Sequence, residues 1–200
     1  MGLTKNQEST KVYLSVSEGS LVRQYREPNE KTKTRVTKTG KTVHEERFKD
    51  LTATLVAIES RENDFGKQLC LHFQDGIDVY QVNMPYSSRY SASFLKALPN
   101  IDTQMRFKFM PWSMADKNDP QKSVTGITCY QNNTKIPPAF TKENPGEMPQ
   151  MVRIKVKGKE AWDDSDMMEW LENNALAILA KNKPATPEVQ PASDITDLPF

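Results

Sequence analysis

Short runs of strand-forming residues, separated by turn residues, constrain the fold of this chain more than any other feature of its sequence. Asp75-Gly76 separates two of these runs and is typical of a hairpin turn, because glycine accepts a positive φ without steric cost. The predicted strands cover residues 12–16, 21–26, 48–58, 68–74, 78–84, 105–112, 123–130 and 151–156.

Two helices are predicted in addition to the strands. Residues 89–98 carry apolar side chains at helical spacing, and Pro99 ends that helix. Residues 163–182 carry a second apolar stripe, with aspartates at the start and lysines at the end, where each complements the helix dipole. A mainly β chain with one short helix between its later strands predicts an OB-fold-like barrel. An immunoglobulin-like sandwich is the alternative, and the helix at 89–98 argues against it.

Composition excludes several classes of protein. No run in the 200 residues approaches the roughly 18 apolar residues that a membrane helix needs, and no apolar signal segment follows Met1. Cys70 and Cys129 lie in apolar strand-like runs and form no disulfide framework. We therefore expect a protein that contacts no membrane and works in the cytoplasm, that of the host cell if the chain is phage-encoded.

The formal net charge of +1 conceals an asymmetry along the chain. Residues 1–160 carry 25 Lys and Arg against 18 Asp and Glu, a net charge of +7. Residues 161–200 carry 2 against 8, a net charge of −6. A basic body followed by an acidic tail is typical of proteins that bind polyanions.

Signals of enzyme chemistry are weak. Cys70 and His72 lie two residues apart, but no second pair of ligands follows at the spacing of a zinc finger. The sequence has no phosphate-cradling glycine loop, nucleophile elbow or pair of catalytic carboxylates. We therefore predict no catalytic residue, no metal and no cofactor.

A basic segment lies between the second and third predicted strands. Its five cations alternate with threonines, and no acidic residue interrupts them. As an extended hairpin arm it would present cations and hydroxyls to phosphates, and the alternative is a mobile solvated loop. The five cations are Lys31, Lys33, Arg35, Lys38 and Lys41.

The strand predicted at 105–112 has two different faces, because successive side chains of a strand alternate. One face is apolar and predicts core, and it comprises Met105, Phe107 and Phe109. The other face combines cations with apolar groups, as a groove that stacks bases and neutralises phosphates requires, and it comprises Arg106, Lys108, Met110 and Trp112. Alternatively, Trp112 belongs to the core beneath the helix at 163–182.

The strand at 151–156 repeats the same alternation. Its inward face is predicted to hold Val152, Ile154 and Val156, and its outward face presents Arg153 and Lys155 to nucleic acid. Five further candidates for nucleic-acid contact are aromatic or cationic residues near other strands, namely Arg23, Tyr25, His72, Tyr86 and Arg89.

The last seven residues form a short acidic and apolar tip after a Pro-rich linker at 184–193. An aromatic residue next to acidic ones can fill an apolar pocket while the carboxylates meet cations of a partner protein. The residues predicted to bind this partner are Asp194, Asp197, Leu198, Pro199 and Phe200. The alternative is a tail that only increases solubility.

This ending resembles the acidic tip of bacterial single-stranded DNA-binding proteins, which finish in several Asp, an apolar residue, Pro and Phe. The layout of a basic body, a linker and an acidic tip is similar to that of many bacteriophage single-stranded DNA-binding proteins. The resemblance implies an OB-fold body and a tip that recruits replication and repair proteins, with Pro199 and Phe200 matching the closing pair. The sequence departs from the bacterial pattern in having fewer acidic residues.

We therefore predict a non-enzymatic protein that coats single-stranded DNA in phage-like replication, recombination and repair. Residues 1–160 form the predicted OB-type nucleic-acid-binding domain, residues 161–183 a helix packed on it, and residues 184–200 the disordered linker and tip. A replication-associated adaptor that binds only proteins, an RNA-binding module and a nuclease with scattered catalytic acids remain as alternatives.

Overall fold

The computed structural model describes residues 11–37, 39–64, 66–117, 119–156 and 158–182. The described residues are mainly β, which confirms the predicted class. The strands are β1 (Lys11–Ser17), β2 (Ser20–Tyr25), β3 (Lys33–Val36), β4 (Thr42–Phe48), β5 (Leu51–Asn63), β6 (Gly66–Asp75), β7 (Asp78–Pro85), β8 (Phe107–Ala115), β9 (Ser123–Gln131), β10 (Thr134–Lys135), β11 (Val152–Val156) and β12 (Lys159–Asp163). The helices are α1 (Arg89–Ala97), which a 3₁₀ turn extends over Leu98–Asn100, and α2 (Ser165–Asn182).

Ten of the strands form one mixed sheet in the order β10-β9-β8-β5-β6-β7-β1-β2-β4-β3. All neighbours in this sheet are antiparallel except β1 and β7, which run parallel. Strands β11 and β12 form a separate antiparallel pair. Neither helix among the described residues is long and apolar enough to cross a membrane.

The large sheet curls so that strands far apart in its order come together. Gly19, in the turn between β1 and β2, has a φ of +75°, and a Cβ built there would lie 2.5 Å from the backbone nitrogen of Ser113 on β8. The Gly19 N–H also donates to the Tyr90 hydroxyl at 2.9 Å, which ties the turn to α1. Four strands separate β2 from β8 in the sheet order, and no hydrogen-bonded ladder joins the two within the described residues. The sheet is therefore strongly curved but not a closed barrel.

An aromatic cluster fills the concave side of the curved sheet. Phe73, Phe107 and Phe109 are at most 1% exposed, and α1 adds the fully buried Phe94. The rings of Phe94 and Phe109 meet edge to face with centroids 5.4 Å apart, a favoured geometry for aromatic pairs. This packing confirms Phe107 and Phe109 as core. Met105 is 45% exposed instead, because β8 begins only at Phe107.

Helix α2 packs on this body through the stripe that the sequence predicts. Met167, Leu171 and Ala175 are buried, and the N–H of Ser165 donates to the Asp163 carboxylate at 3.0 Å just before the helix. The Tyr86 hydroxyl donates to the Glu172 carboxylate at 2.7 Å and so ties the middle of the helix to the end of β7.

The hairpin of β11 and β12 corrects one sequence prediction. Val152 and Ile154 were expected to point inward, but their exposed fractions are 54% and 37%. The prediction is wrong because β11 pairs only with β12 and no layer of the main sheet covers its apolar face. Strand β12 itself was not predicted, and neither were β3, β4 and β10 as separate strands.

Candidate nucleic-acid interface

Two adjoining cavities form one groove on the body, and they share Asp50, Thr52 and Arg106. The larger cavity, of about 690 Å³, lies among β1, β2, β4, the start of β5 and β7. The smaller, of about 480 Å³, follows β8 and the end of β9. Five of the predicted nucleic-acid-binding residues line this groove, namely Arg23, Tyr25, Lys31, Arg106 and Lys108.

The larger cavity presents two tyrosines in neutral form. The Tyr25 hydroxyl donates to the Glu46 carboxylate at 2.7 Å, and this hydrogen bond raises the pKa of Tyr25 above its ordinary value. Burial raises the pKa of Tyr80 in the same direction. The guanidinium of Arg23 lies over the Tyr25 ring, 4.9 Å from its centroid. A cation and uncharged aromatic faces therefore lie side by side on this wall.

The smaller cavity continues along one face of β8. Lys108 lies opposite Tyr130 in the register of β8 and β9, and Met110 follows two residues later on the same face. Trp112 comes next on that face, opposite Gly126. A Cβ on Gly126 would lie 2.6 Å from the Cζ2 atom of Trp112, so the indole ring rests on the backbone of β9. The absent side chain at Gly126 thus lets Trp112 lie close to the sheet surface.

Charges of both signs line the groove. Arg106 is held in place, because its guanidinium donates to the Thr52 carbonyl and to the Asp75 carboxylate, each at 3.1 Å. Four other cations of the groove, Arg23, Lys31, Lys49 and Lys108, form no ion pair with a described residue. The acidic side chains of the groove are Glu46, Asp50, Asp75 and Asp78. The groove therefore offers separate cationic points rather than a uniform positive field.

The predicted basic arm is an ordered hairpin in its described part, formed by β3 and β4. Arg35 donates twice to the Glu45 carboxylate, at 2.8 and 2.7 Å, and Glu45 is only 3% exposed. The hydrogen bond from Arg35 is the main cause that lowers the pKa of Glu45. Arg35 therefore stabilises the hairpin, whereas Lys33 and Lys41 are exposed. Lys38 lies outside the described residues.

Two candidates are engaged in contacts away from the groove. His72 places its Nε2 atom 2.6 Å from the Glu59 carboxylate on the neighbouring strand. Tyr86 is 7% exposed, and the Lys67 ammonium covers its ring at 3.7 Å from the centroid. A base cannot stack on a ring buried in this way, so the structure gives Tyr86 the role of an anchor for α2 instead.

The remaining candidates are also outside the groove. Arg89 is exposed at the start of α1. On the β11–β12 hairpin, Lys155 is exposed, and Arg153 lies over the Trp162 ring at 4.9 Å and 3.3 Å from the Glu160 carboxylate. The five tip residues Asp194, Asp197, Leu198, Pro199 and Phe200 lie outside the described residues.

Several groove residues were missed by the sequence interpretation, namely Phe48, Lys49, Tyr80, Tyr130, Asn132 and Asn133. Most of them reach the groove through strand register, which a single sequence does not show. Asn132 and Asn133 are an exception, because both have a positive φ, 51° and 62°, in the two-residue turn between β9 and β10. An Asn-Asn pair between strand-like runs is a recognisable hairpin signal.

The described part of the chain holds no cluster of three or more His, Cys, Asp or Glu side chains placed to bind a metal ion. Comparisons with protein-family models, with curated proteins and with solved structures found no match to this chain.

Proposed function

We propose that this protein binds single-stranded DNA with little sequence preference, as a phage-type single-stranded DNA-binding protein in replication, recombination and repair. The observation that carries the proposal is the groove, where unpaired cations alternate with tyrosines and lead to the half-exposed Trp112. Cations along a groove neutralise phosphates, and aromatic faces stack on bases of any sequence, with roughly 1–3 kcal/mol per stacked base. A non-enzymatic role is part of the same proposal.

We also propose that the curved sheet is an OB-type barrel that is partly open. Strands β5, β6 and β7 form a meander, α1 follows, and β8 returns to pair with β5 before β9 pairs with β8. OB-type barrels are small, partly open and five-stranded, and they bind oligonucleotides on an open face. The approach of Gly19 to β8 supports a sheet curled around a small core. The parallel partner of β7 is the N-terminal strand β1, which extends the sheet beyond five strands.

The proposal is tested by titrating the full chain with single-stranded DNA, duplex DNA and single-stranded RNA of equal length over a series of salt concentrations. We expect single-stranded DNA to bind more tightly than duplex, since duplex bases are not free to stack on side chains. The logarithm of affinity is expected to fall with the logarithm of salt by about 0.7 per neutralised phosphate. Equal binding of duplex, or affinity independent of salt, contradicts the proposal. Tighter binding of RNA favours the RNA-binding alternative.

The tip has a separate proposed role, which is to recruit replication or recombination proteins. Its alternation of acidic and apolar residues fits a partner with an apolar pocket beside cations. Phe200→Ala is expected to remove most of the capture of replication proteins in a pull-down, because buried aromatic anchors dominate small interfaces. Affinity for DNA should stay the same or rise. If Phe200→Ala instead abolishes DNA binding while capture persists, the tip belongs to the DNA site.

A further inference from the structure

A third cavity lies on the other side of α1 from the groove residues named above and shares no lining residue with them. Its volume is about 370 Å³, and it lies between α1, the loop before β11, β12 and the start of α2. Its apolar lining consists of Met148, Met151, Trp162 and Met167, and Trp162 is 59% exposed. Methionines adapt to irregular apolar ligands, and exposed aromatic rings beside them are typical of a peptide-binding surface.

Two lysines, Lys96 and Lys142, border this apolar lining. Lys96 is half-buried, and burial lowers the pKa of its ammonium. Neither lysine forms an ion pair with a described residue. A partly buried cation is stabilised by an anion brought next to it. The cavity therefore fits a ligand that carries both apolar side chains and carboxylates.

We propose that residues 194–200 of the same chain dock in this cavity. Leu198 and Phe200 would contact the methionines and Trp162, while Asp194 and Asp197 would approach the two lysines. The inference goes beyond DNA binding and does not depend on it. It defines a resting position in which the body covers the tip, so that a partner protein has to displace the tip before capturing it.

The chain is long enough for this contact. Met167 lines the cavity near the start of α2, and Asn182 ends the helix 15 residues later, about 22 Å away at 1.5 Å per residue. Residues 183–196 are Pro-rich and span about 43 Å at roughly 3.1 Å per residue in an extended polyproline form. The tip can therefore return to the cavity of its own chain, and the linker gives it an effective concentration on the order of millimolar.

Methyl NMR of the methionines tests the proposal on the full chain. Met148, Met151 and Met167 line the cavity, whereas Met84 lies in the core and Met105 near the groove, so the protein carries its own reference signals. The Leu198→Ala/Phe200→Ala double variant is expected to shift the three cavity methyl signals and leave the two reference signals unchanged. Unchanged cavity signals would overturn the proposal.

Two further measurements separate docking within one chain from docking between chains and from a purely apolar contact. Unlabelled wild-type chain added to the labelled double variant should leave the cavity signals unchanged, and recovery of the wild-type positions would overturn docking within one chain. Lys142→Gln is expected to weaken binding of a synthetic peptide of residues 191–200 to the double variant by about threefold to tenfold. Lys135→Gln is the matched control and should bind the peptide unchanged. An equal effect of both variants would overturn the assigned lysine contacts.

Discussion

Joint replacement of Arg23, Lys31 and Lys108 by glutamine is expected to weaken single-stranded DNA binding by about a hundredfold. The three cations line the groove and form no ion pair with a described residue, so their charges are available to phosphates. A loss of about fivefold per contact corresponds to roughly 1 kcal/mol, within the range for charged contacts at a protein surface. The slope of log affinity against log salt should fall by about 2, at roughly 0.7 per phosphate.

The matched control removes three exposed lysines that line neither cavity of the groove, Lys11, Lys117 and Lys135. This variant has the same net charge as the groove variant and should bind DNA within about threefold of the wild type, since distant surface charges are screened by salt. Fluorescence anisotropy at 0.15 M salt compares the two variants. Equal losses would show that net charge, rather than the groove, determines affinity.

Asp50 provides a change of the opposite sign in the same groove, because its side chain lines both cavities. Asp50→Asn removes a negative charge from the proposed path of the phosphates, and in the same anisotropy assay it should strengthen binding by roughly twofold to threefold. A weaker complex would mean that Asp50 positions a groove residue, and that the acids of the groove do not simply oppose the phosphates.

The alternation of residues in β8 shows how far sequence reasoning carries. A period of two placed Phe107 in the core and Lys108 on the opposite face, and the structure has both positions. The same reasoning failed for Val152, because alternation tells which residues share a face but not whether another layer covers that face. The groove shows a second gap, since Tyr130 reaches Lys108 only through the register of β8 and β9.

Cations of the basic arm illustrate a third gap between sequence and structure. Arg35 and Lys33 are equivalent in the sequence pattern, where both alternate with threonine. In the folded hairpin, Arg35 forms two hydrogen bonds with the buried Glu45, and Lys33 forms no ion pair with a described residue. A cation can serve a phosphate or a buried carboxylate, and only the strand pairing of β3 with β4 distinguishes the two uses.

Arg35→Met is therefore expected to lower the melting temperature by about 4–8 °C at pH 7. The substitution leaves the Glu45 carboxylate, which is 3% exposed, without its two shortest hydrogen bonds, and an unsatisfied buried acceptor is costly. Arg47 limits the loss, because its guanidinium stays 3.2 Å from Glu45. Lys33→Met on the same strand is the control, and it should change the melting temperature by less than about 2 °C.

The pH dependence of this difference identifies Glu45 as its cause. The pKa of Glu45 is lowered in the folded state, so its ion pairs stabilise the fold above the ordinary value of 4.5 and lose that effect as pH falls through the lowered value. The gap in melting temperature between wild type and Arg35→Met should therefore be widest near neutral pH and narrow in acid. Thermal melts at pH 7 and in increasingly acidic buffer measure it. A gap that stays constant with pH would mean that Arg35 acts through packing of its side chain and not through the Glu45 carboxylate.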